Sequence, residues 1–438
     1  MHNQASTPLL RSRRFLPYFI TQAMGAFNDN IFKNVLLLLV AYASIEQQPI
    51  SSTLYINLAA GLFILPFFIF SASAGVIADR HEKSALIRKI KFAEIIIMSV
   101  AAFAFMAQSY WLLLFLLFLM GSQSAFFGPI KYAILPQHLD QTELIQGNAL
   151  VETGTFLAIL LGTLGAGIIA SSPYSNYIVA FSCLLFALIG YISSRFIPKA
   201  TPEKMPPLQS WNPLLHTRNS LKIARSDKIV FQAIMAISWF WFLGASYLTQ
   251  FPNFTKMHLN GSPSVVSVLL ALFSIGIAIG SLLCNKISRG KLELGIVPIG
   301  SLGMTIFGIN LYWFTPEQAH SVLSATQFMT SLELFPLFIS LLLLGVSGGI
   351  YIVPLYTVIQ QRARSNQRAQ VIAANNIYNA IFMVVSAILA VVFLHLLQLT
   401  IPLFFAALAV GNLLFTGYLF YQTPIFTDRL FALLKIKP

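Results

Sequence analysis

The distribution of basic residues along the chain restricts its fold more than any other feature. Twelve apolar segments of about 20 residues alternate with polar gaps, and nearly all of the 27 Lys and Arg lie in or beside alternate gaps. Only Lys256, in the opposite set of gaps, and Lys33, inside a segment, depart from this pattern. Because membrane insertion retains Lys and Arg in cytoplasmic loops, the asymmetry predicts a multi-pass membrane protein with both termini in the cytoplasm.

Composition indicates a chain whose solvent is lipid. Hydrophobic residues make up 57% and charged residues 9%, whereas soluble domains carry about 25% charged residues. The net charge of +13 does not indicate a nucleic-acid partner, because membrane orientation already accounts for it. Cys183 and Cys284 lie in or beside apolar segments and the His residues lack ligand spacing. We therefore expect no disulfide framework, no metal site and no cofactor.

Hydropathy predicts an all-α fold, because backbone groups in lipid must be satisfied within each segment. A Pro-rich polar gap divides the segments six and six, which predicts a first six-helix half over 1–197 and a second over 228–438. The gap at 198–227 is the predicted cytoplasmic linker, and 214–228 a short amphipathic helix on the inner leaflet. This arrangement matches the major facilitator architecture of two repeats. The twelve membrane-spanning helices are predicted at 15–43, 55–78, 87–107, 110–128, 148–170, 176–196, 228–250, 264–285, 294–314, 335–359, 371–394 and 401–421.

A short internal similarity supports the repeat. Asn148 is followed four residues later by Glu152, and Asn375 is followed four residues later by Asn379. Both pairs open the fifth predicted helix of their half, and this spacing places each pair on one helix face. All four residues are therefore candidate substrate-binding residues, although a structural role for Glu152 is equally compatible with the pattern.

The turn after the second predicted helix, Gly75-Val-Ile-Ala-Asp79-Arg80-His-Glu-Lys83, resembles the signature loop of the major facilitator superfamily. An aspartate in such a turn is stabilised when it sits near a helix N-terminus. In that family the loop latches the two halves in one conformation. The resemblance implies a conformational latch formed by Gly75, Asp79, Arg80 and Lys83, with an ordinary charged turn as the alternative. The equivalent turn of the second half lacks the aspartate.

The first predicted helix carries Asp29, Asn30 and Lys33 inside its apolar run. A charge near the bilayer centre costs at least about 2.5 kcal/mol, and Asp29 lies roughly 21 Å along the helix, past the midplane. Asp29 and Lys33 are four residues apart and would neutralise each other. Two interpretations remain open, a structural patch that fixes this helix to its neighbours and a role in substrate binding or coupling. Glu94, beside Lys91 near the cytoplasmic end, favours a structural ion pair.

Two other motifs also have competing interpretations. Pro129 and Pro136 predict breaks that leave Lys131 in a constrained turn at the inner face, beside Tyr132. There Lys131 either meets a phosphate as a point charge or serves as an ordinary positive-inside lysine. The aromatic run at 239–242, with Tyr247, either lines an apolar cavity or packs against other helices and lipid.

Three blocks of sequence resemble the bacterial lysophospholipid transporter family. They are Ala-Phe-Asn-Asp-Asn at 26–30, Gly-Pro-Ile-Lys-Tyr-Ala-Ile-Leu at 128–135, and the stretch 148–162. Together with 349–355 and 371–376, they most resemble the transporter domain that some bacteria fuse to an acyltransferase and acyl–acyl carrier protein synthetase. The chain has no His-x-x-x-x-Asp acyltransferase motif, so we expect a transporter and not an enzyme.

The resemblance implies movement of lysophosphatidylethanolamine and related lipids from the outer to the inner leaflet of the bacterial inner membrane. A cytoplasmic acyltransferase partner would then re-acylate them. By the same resemblance, Asp29, Asn30 and Glu152 would hold the headgroup ammonium and Lys131 its phosphate. Stand-alone members carry an arginine in the seventh helix, where this chain has Gly-Ala-Ser-Tyr-Leu at 244–248. Asp29 is therefore left to pair with Lys33, to be protonated, or to await a cationic headgroup.

Two other functions fit the same features. One is a proton-coupled exporter of an amphipathic drug or siderophore, driven through Asp29 or Glu152. The other is a membrane subunit that recruits a soluble acyltransferase through the 198–227 loop.

Overall fold

The computed structural model describes residues 8–42, 51–203, 211–316 and 324–435. Within those ranges the chain is helical, with no β-strand. The predicted cytoplasmic termini and the middle of the predicted linker lie outside the described residues.

Twelve long helices occupy the twelve predicted segments, which confirms the all-α fold. Ten of them are long and apolar enough to cross a membrane, and the first and third, of 27 and 24 residues, carry charged residues in their length. The long helices are α1 (Leu16–Tyr42), α2 (Ser52–Arg80), α3 (Lys83–Met106), α4 (Tyr110–Ala133), α6 (Leu144–Ala170), α7 (Ser175–Ser194), α9 (Lys228–Met257), α10 (Pro263–Ile287), α11 (Ile296–Trp313), α13 (Phe335–Arg362), α14 (Arg368–Val391) and α15 (Ile401–Gln422). Shorter helices are α5 (Leu135–His138), α8 (Pro213–Arg225), α12 (Ala325–Thr330) and α16 (Ile425–Leu434).

Acidic N-caps set the start of two long helices. The Glu82 carboxylate accepts hydrogen bonds from the backbone N–H groups of Ser84 and Ala85, so α3 begins at Lys83. Asp227 caps α9 in the same way. A cap satisfies backbone donors that have no partner within the helix. The predicted start of the third helix near residue 87 was therefore one turn late, because hydropathy does not detect a polar first turn.

The chain forms two compact units that are not contiguous in sequence. The first comprises 1–147, 158–226 and 360–377, and the second comprises 148–157, 227–359 and 378–438. In the first unit α2 packs against α4, and α7 packs against α1 and α3. Its core contains Phe32, Met98, Phe105, Leu117 and Met120, all at most 1% exposed.

The second compact unit has its own helix pairs. In it α11 packs against α15, and α9 packs against both α10 and α15. An added Cβ at Gly300 of α11 would lie 2.8 Å from the carbonyl oxygen of Ser347. This glycine therefore permits a close approach of α11 to α13.

The predicted amphipathic helix in the linker is present as α8. The Asn212 side chain caps its N-terminus, and Pro213 occupies the first turn, where its missing N–H costs nothing. His216 is buried and its Nδ1 lies 3.0 Å from the Ser73 hydroxyl of α2. The position of α8 on the inner leaflet remains a prediction.

Candidate functional site

Asp29 lies on α1, about 20 Å along the helix from Leu16. Its Oδ2 accepts a hydrogen bond of 2.7 Å from the Ser124 hydroxyl of α4. Its Oδ1 is buried and has no hydrogen-bond partner among the residues that the structure describes. A carboxylate oxygen inside a membrane span is normally paired, because unsatisfied charge in lipid is expensive. Asp29 is therefore an incompletely satisfied acceptor among apolar helices.

Lys33 forms no ion pair with Asp29. No ion pair joins the two described side chains, and the Lys33 ammonium lies 5.3 Å from the centre of the Phe63 ring of α2. The aromatic face attracts the cation. Of the three states predicted for Asp29, the structure therefore does not contain the pair with Lys33.

A second polar cluster, formed by α1, α3 and α4, surrounds the carboxylate of Glu94. Lys91 donates to Glu94 at 2.6 Å, and both side chains are 1% exposed. Glu94 also accepts hydrogen bonds of 3.0 Å from the amides of Asn28 and Gln123. An added Cβ at Gly25 would collide with the Lys91 ammonium, so this glycine leaves space for the cation. The structural ion pair expected for Glu94 is present.

The position of this pair along its helix was predicted incorrectly. Because α3 begins at Lys83, Glu94 lies roughly 16 Å from its first residue and not close to the cytoplasmic end. The pair thus lies near the middle of α3, and three donors meet the Glu94 carboxylate.

Sequence reasoning missed the two residues of α4 that complete these clusters, Gln123 and Ser124. The signal was available, since the apolar run of this helix is interrupted by Gly-Ser-Gln-Ser at 121–124. Polar side chains within a span face protein partners more often than lipid.

Lys131 does not lie in a constrained turn, contrary to the prediction. α4 continues through Pro129 to Ala133, so Lys131 belongs to the last turn of the helix. Spanning helices tolerate proline when neighbours satisfy the freed backbone groups. Gly128, the residue before Pro129, lies close to Asn376. A Cβ added at Gly128 would lie 2.6 Å from the Asn376 amide nitrogen.

Lys131 and its neighbour Tyr132 lie at the predicted cytoplasmic end of α4. The Lys131 ammonium lies 5.1 Å from the Tyr132 ring centre, and the Lys131 carbonyl accepts a 2.6 Å hydrogen bond from the Tyr18 hydroxyl. Tyr132 is 6% exposed, and its carbonyl accepts from the Gln360 amide at 3.1 Å. The backbone here is fixed, while the partly exposed Lys131 side chain can meet an anion.

Asp79, in the last turn of α2, caps the N-terminus of α14. Its Oδ1 accepts a hydrogen bond of 2.9 Å from the backbone N–H of Ala369. Its Oδ2 accepts from the backbone N–H and the side-chain amide of Gln370, at 3.1 and 3.2 Å. The carboxylate is 2% exposed. The helix N-terminus supplies both hydrogen bonds and partial positive charge.

The other predicted latch residues surround this cap. A Cβ at Gly75 would lie 2.7 Å from the Cβ of Ala373, so this glycine permits α2 and α14 to touch. Lys83 is 2% exposed, and its backbone N–H donates to the Ala200 carbonyl at 3.1 Å. Arg80 is half-buried at the end of α2.

Of the four candidates at the two predicted repeats, three lie in the second compact unit and one lies in the first. In the second unit, the Asn148 amide donates to the Thr357 hydroxyl at 3.0 Å and Glu152 is fully buried. Asn379 accepts from the Ser238 hydroxyl at 2.8 Å. Asn375 belongs to the first unit and is fully buried, and the described part of the chain offers no hydrogen-bond partner to either of its amide atoms. Like Asp29, it is an unsatisfied polar group.

Asn30, also proposed for the headgroup, bonds to its own helix. Its amide donates to the Ala26 carbonyl at 2.8 Å. This bond uses one of the two amide N–H donors, so the second N–H and the side-chain oxygen remain for other partners.

The aromatic run of α9 is packed. Trp239 stacks on Phe415, with ring centres 4.3 Å apart, and donates to the Asn412 side chain at 2.9 Å. Phe240 and Phe242 are nearly fully buried. Of the two interpretations offered for this run, the contacts favour packing.

Outside the membrane spans, Arg14 and Glu143 tie the start of α1 to the start of α6. The guanidinium donates to both carboxylate oxygens, at 2.7 and 2.5 Å. Partial burial alone would raise the pKa of Glu143, but the bond from Arg14 and the Asp140 backbone N–H hold that pKa below its ordinary value.

Comparison with known proteins places these features in context. The sequence profile of the Major Facilitator Superfamily matches residues 16–387. The protein named lysophospholipid transporter LplT of Escherichia coli (strain K12 / DH10B) is 26% identical over 382 residues, which cover 84% of this chain and 85% of that protein. LplT of Shigella boydii serotype 18 gives the same values.

Solved structures share the fold. The human organic anion transporter MFSD10 has a TM-score of 0.70 at 15% identity, covering 98% of this chain and 100% of that one. The E. coli fucose:proton symporter FucP has a TM-score of 0.66 at 13% identity, covering 94% and 100%. At these identities the likeness shows the fold alone.

Proposed function

This chain belongs to the Major Facilitator Superfamily, and we propose that it moves lysophospholipids from the outer to the inner leaflet of a bacterial inner membrane. Relatives named lysophospholipid transporter match along 84% of its length. A lysophospholipid has one acyl chain and a polar headgroup. The chain can remain among apolar surfaces, whereas the headgroup needs polar partners inside the membrane.

The observation that carries the proposal is the unpaired Oδ1 of Asp29. It is buried in a membrane span, and the only hydrogen bond that the described residues give this carboxylate comes from Ser124. An ammonium headgroup supplies the missing positive charge and hydrogen-bond donors. The neighbouring carboxylate, Glu94, already has three donors. Of these two carboxylates, Asp29 is therefore the one that gains more from a cationic ligand.

The phosphate of the same headgroup would meet Lys131. This lysine lies in the last turn of α4 with a partly exposed side chain. The terminal carbonyls of a helix also favour a cation there. We infer that Asp29 serves the ammonium during passage and Lys131 the phosphate near the predicted cytoplasmic exit.

The Asp79 cap on α14 would stabilise one conformation of the transport cycle. Breaking it exposes a buried carboxylate and frees the first N–H groups of a helix. In this proposal the transporter exchanges the capped state for an uncapped one as it delivers substrate. Re-acylation of the delivered lipid by a cytoplasmic acyltransferase would remove lysophospholipid from the inner leaflet. Its concentration gradient would then stay directed from the outer to the inner leaflet.

A leaflet-resolved uptake assay tests the function. Labelled lysophosphatidylethanolamine is added outside spheroplasts that lack their own lysophospholipid transporter, and albumin then extracts whatever remains in the outer leaflet. We expect protected label to accumulate with this chain and not with an empty vector. Asn34→Ala is the matched control for an Asp29→Asn variant in the same assay, since Asn34 also lies on α1 but is bonded to Thr163. Protected label equal to the empty vector would overturn the proposal.

A further inference from the structure

We propose that the exposed face of α8 binds the phosphate headgroups of anionic phospholipids in the adjacent leaflet. The inference concerns a structural lipid site and does not depend on which substrate is transported.

One face of α8 is fixed to the protein. His216, Ser220 and Ala224 are buried and recur every four residues, so they form one stripe. The stripe packs on α2, where the His216 imidazole meets the Ser73 hydroxyl at 3.0 Å. The orientation of the remaining faces follows from this contact.

An exposed face carries three basic residues. Arg218, Lys222 and Arg225 are spaced four and three residues apart and lie on one side of the helix. Together with Leu221 and Ser226 they line an open cavity of about 550 Å³, and the described lining contains no acidic residue. Guanidinium groups bind phosphate oxygens bidentately, and an ammonium adds a point charge.

The depth of α8 indicates a lipid ligand. Ser73 lies seven residues before Arg80, roughly 10 Å from the end of a spanning helix. The first turn of α8, which contains His216, is thus level with the last two turns of α2, near the membrane interface. Trp211, just before α8, is 67% exposed, and Leu214, in the first turn of α8, is 80% exposed. Large apolar side chains beside a basic face are typical of interfacial helices.

Charge favours anionic over zwitterionic lipid. Each Lys or Arg close to an anionic leaflet adds electrostatic attraction that a zwitterionic leaflet does not provide. Three such residues on one face, with apolar anchors beside them, fit a phosphatidylglycerol-type headgroup with its acyl chains in the leaflet.

Spin-label quenching tests the proposal with the full chain in vesicles. A fluorophore is attached to Asn219→Cys, an exposed position on α8, while the native Cys183 and Cys284 are buried. Vesicles of phosphatidylcholine contain a small fraction of spin-labelled phosphatidylglycerol or of spin-labelled phosphatidylcholine. We expect phosphatidylglycerol to quench at least about threefold more strongly.

Two variants assign the preference to the basic face. Arg218→Gln/Lys222→Gln/Arg225→Gln should bring the quenching ratio close to one, whereas Arg218→Lys/Arg225→Lys should keep it. The control Lys286→Gln/Arg289→Gln/Lys291→Gln removes the same charge from exposed positions elsewhere and should not change the ratio. Gel filtration confirms that each variant is folded.

Further outcomes distinguish the ligand. A quenching ratio near one for the protein with its native basic face would overturn the proposal and favour a soluble acidic partner for α8. Loss of the preference on adding inorganic phosphate at constant ionic strength would also overturn it, in favour of a free phosphate ligand. Retention of the preference in the triple Gln variant would assign it to another surface.

Discussion

The carboxylate of Asp79 accepts a hydrogen bond of 2.9 Å from the backbone N–H of Ala369, so the end of α2 caps α14, a helix that begins almost 300 residues later in the chain. Gln370 adds a backbone and a side-chain donor. A buried carboxylate that accepts three hydrogen bonds at a helix N-terminus stabilises this arrangement specifically. This contact between α2 and α14 depends on the charge and shape of one side chain, that of Asp79. Such a contact is suited to forming and breaking reversibly.

Removing the cap should impair transport more than folding. We expect Asp79→Ala to lower lysolipid uptake per inserted molecule by at least about fivefold, equivalent to the roughly 1 kcal/mol of a helix cap. Uptake is divided by the amount of protein in the membrane. His81→Ala changes an exposed neighbour and should leave uptake unchanged. If both variants behave alike, the capping contact has no role in the cycle.

Asp29 should discriminate headgroups. We expect Asp29→Asn to remain folded, because asparagine keeps the shape and removes a charge that no cation pairs. Uptake of an ethanolamine lysolipid should fall at least about tenfold, equivalent to roughly 1.4 kcal/mol. A lysolipid without a cationic headgroup should be affected less. Equal loss for both lipids would replace headgroup recognition by a coupling or structural role.

We expect the Lys91–Glu94 ion pair to stabilise the folded protein. Lys91→Met leaves a buried carboxylate without its cation, and we expect the free energy of unfolding to fall by about 3 kcal/mol. The double variant Lys91→Met/Glu94→Gln should recover most of it, since glutamine removes the uncompensated charge and its oxygen still accepts from one of the two neighbouring amides, Asn28 or Gln123. Denaturation of the purified proteins by dodecyl sulfate in micelles measures both. A double variant no more stable than Lys91→Met would show that the cation acts through packing alone.

The Arg14–Glu143 contact should give a defined acid dependence. The folded pKa of Glu143 is lowered, so this pair contributes stability above the ordinary glutamate pKa of about 4.3, and loses it as pH falls through the folded pKa. The difference in thermal midpoint between the unaltered protein and Glu143→Gln should therefore be constant near neutral pH and shrink below about pH 4. Glu333→Gln, at an exposed residue, should show no such trend. A difference that grows on acidification would reverse the assigned sign.

The predicted topology can be tested with single cysteines at described positions. Leu332, 90% exposed between α12 and α13, should react in Leu332→Cys with an impermeant maleimide added outside cells. Lys291→Cys, between α10 and α11, should react only after the membrane is opened. Cys183 and Cys284 are buried and provide little background. The opposite labelling pattern would invert the orientation.

Helix number was predictable because hydropathy is a local property, and the ends of the twelve segments reappear within seven residues of their predicted positions, the largest difference being at the end of α9. The departures have local physical causes. α3 and α4 extend beyond their predicted limits because Glu82 provides a cap that hydropathy ignores and because Pro129 is tolerated inside a spanning helix. Proline predicts a break reliably in water, but neighbouring helices can replace its lost hydrogen bond in a membrane.

The sequence by itself determined that this chain spans a membrane many times, that its long segments are helices, and which carboxylates are buried in them. These properties follow from composition and charge within windows of about 20 residues. Only the tertiary structure decided which side chains the buried polar and charged groups contact. The i,i+4 spacing paired Asp29 with Lys33, yet Ser124 takes the carboxylate and the Phe63 ring takes the ammonium. Partner choice depends on contacts between distant positions, and those exist only once the helices have packed.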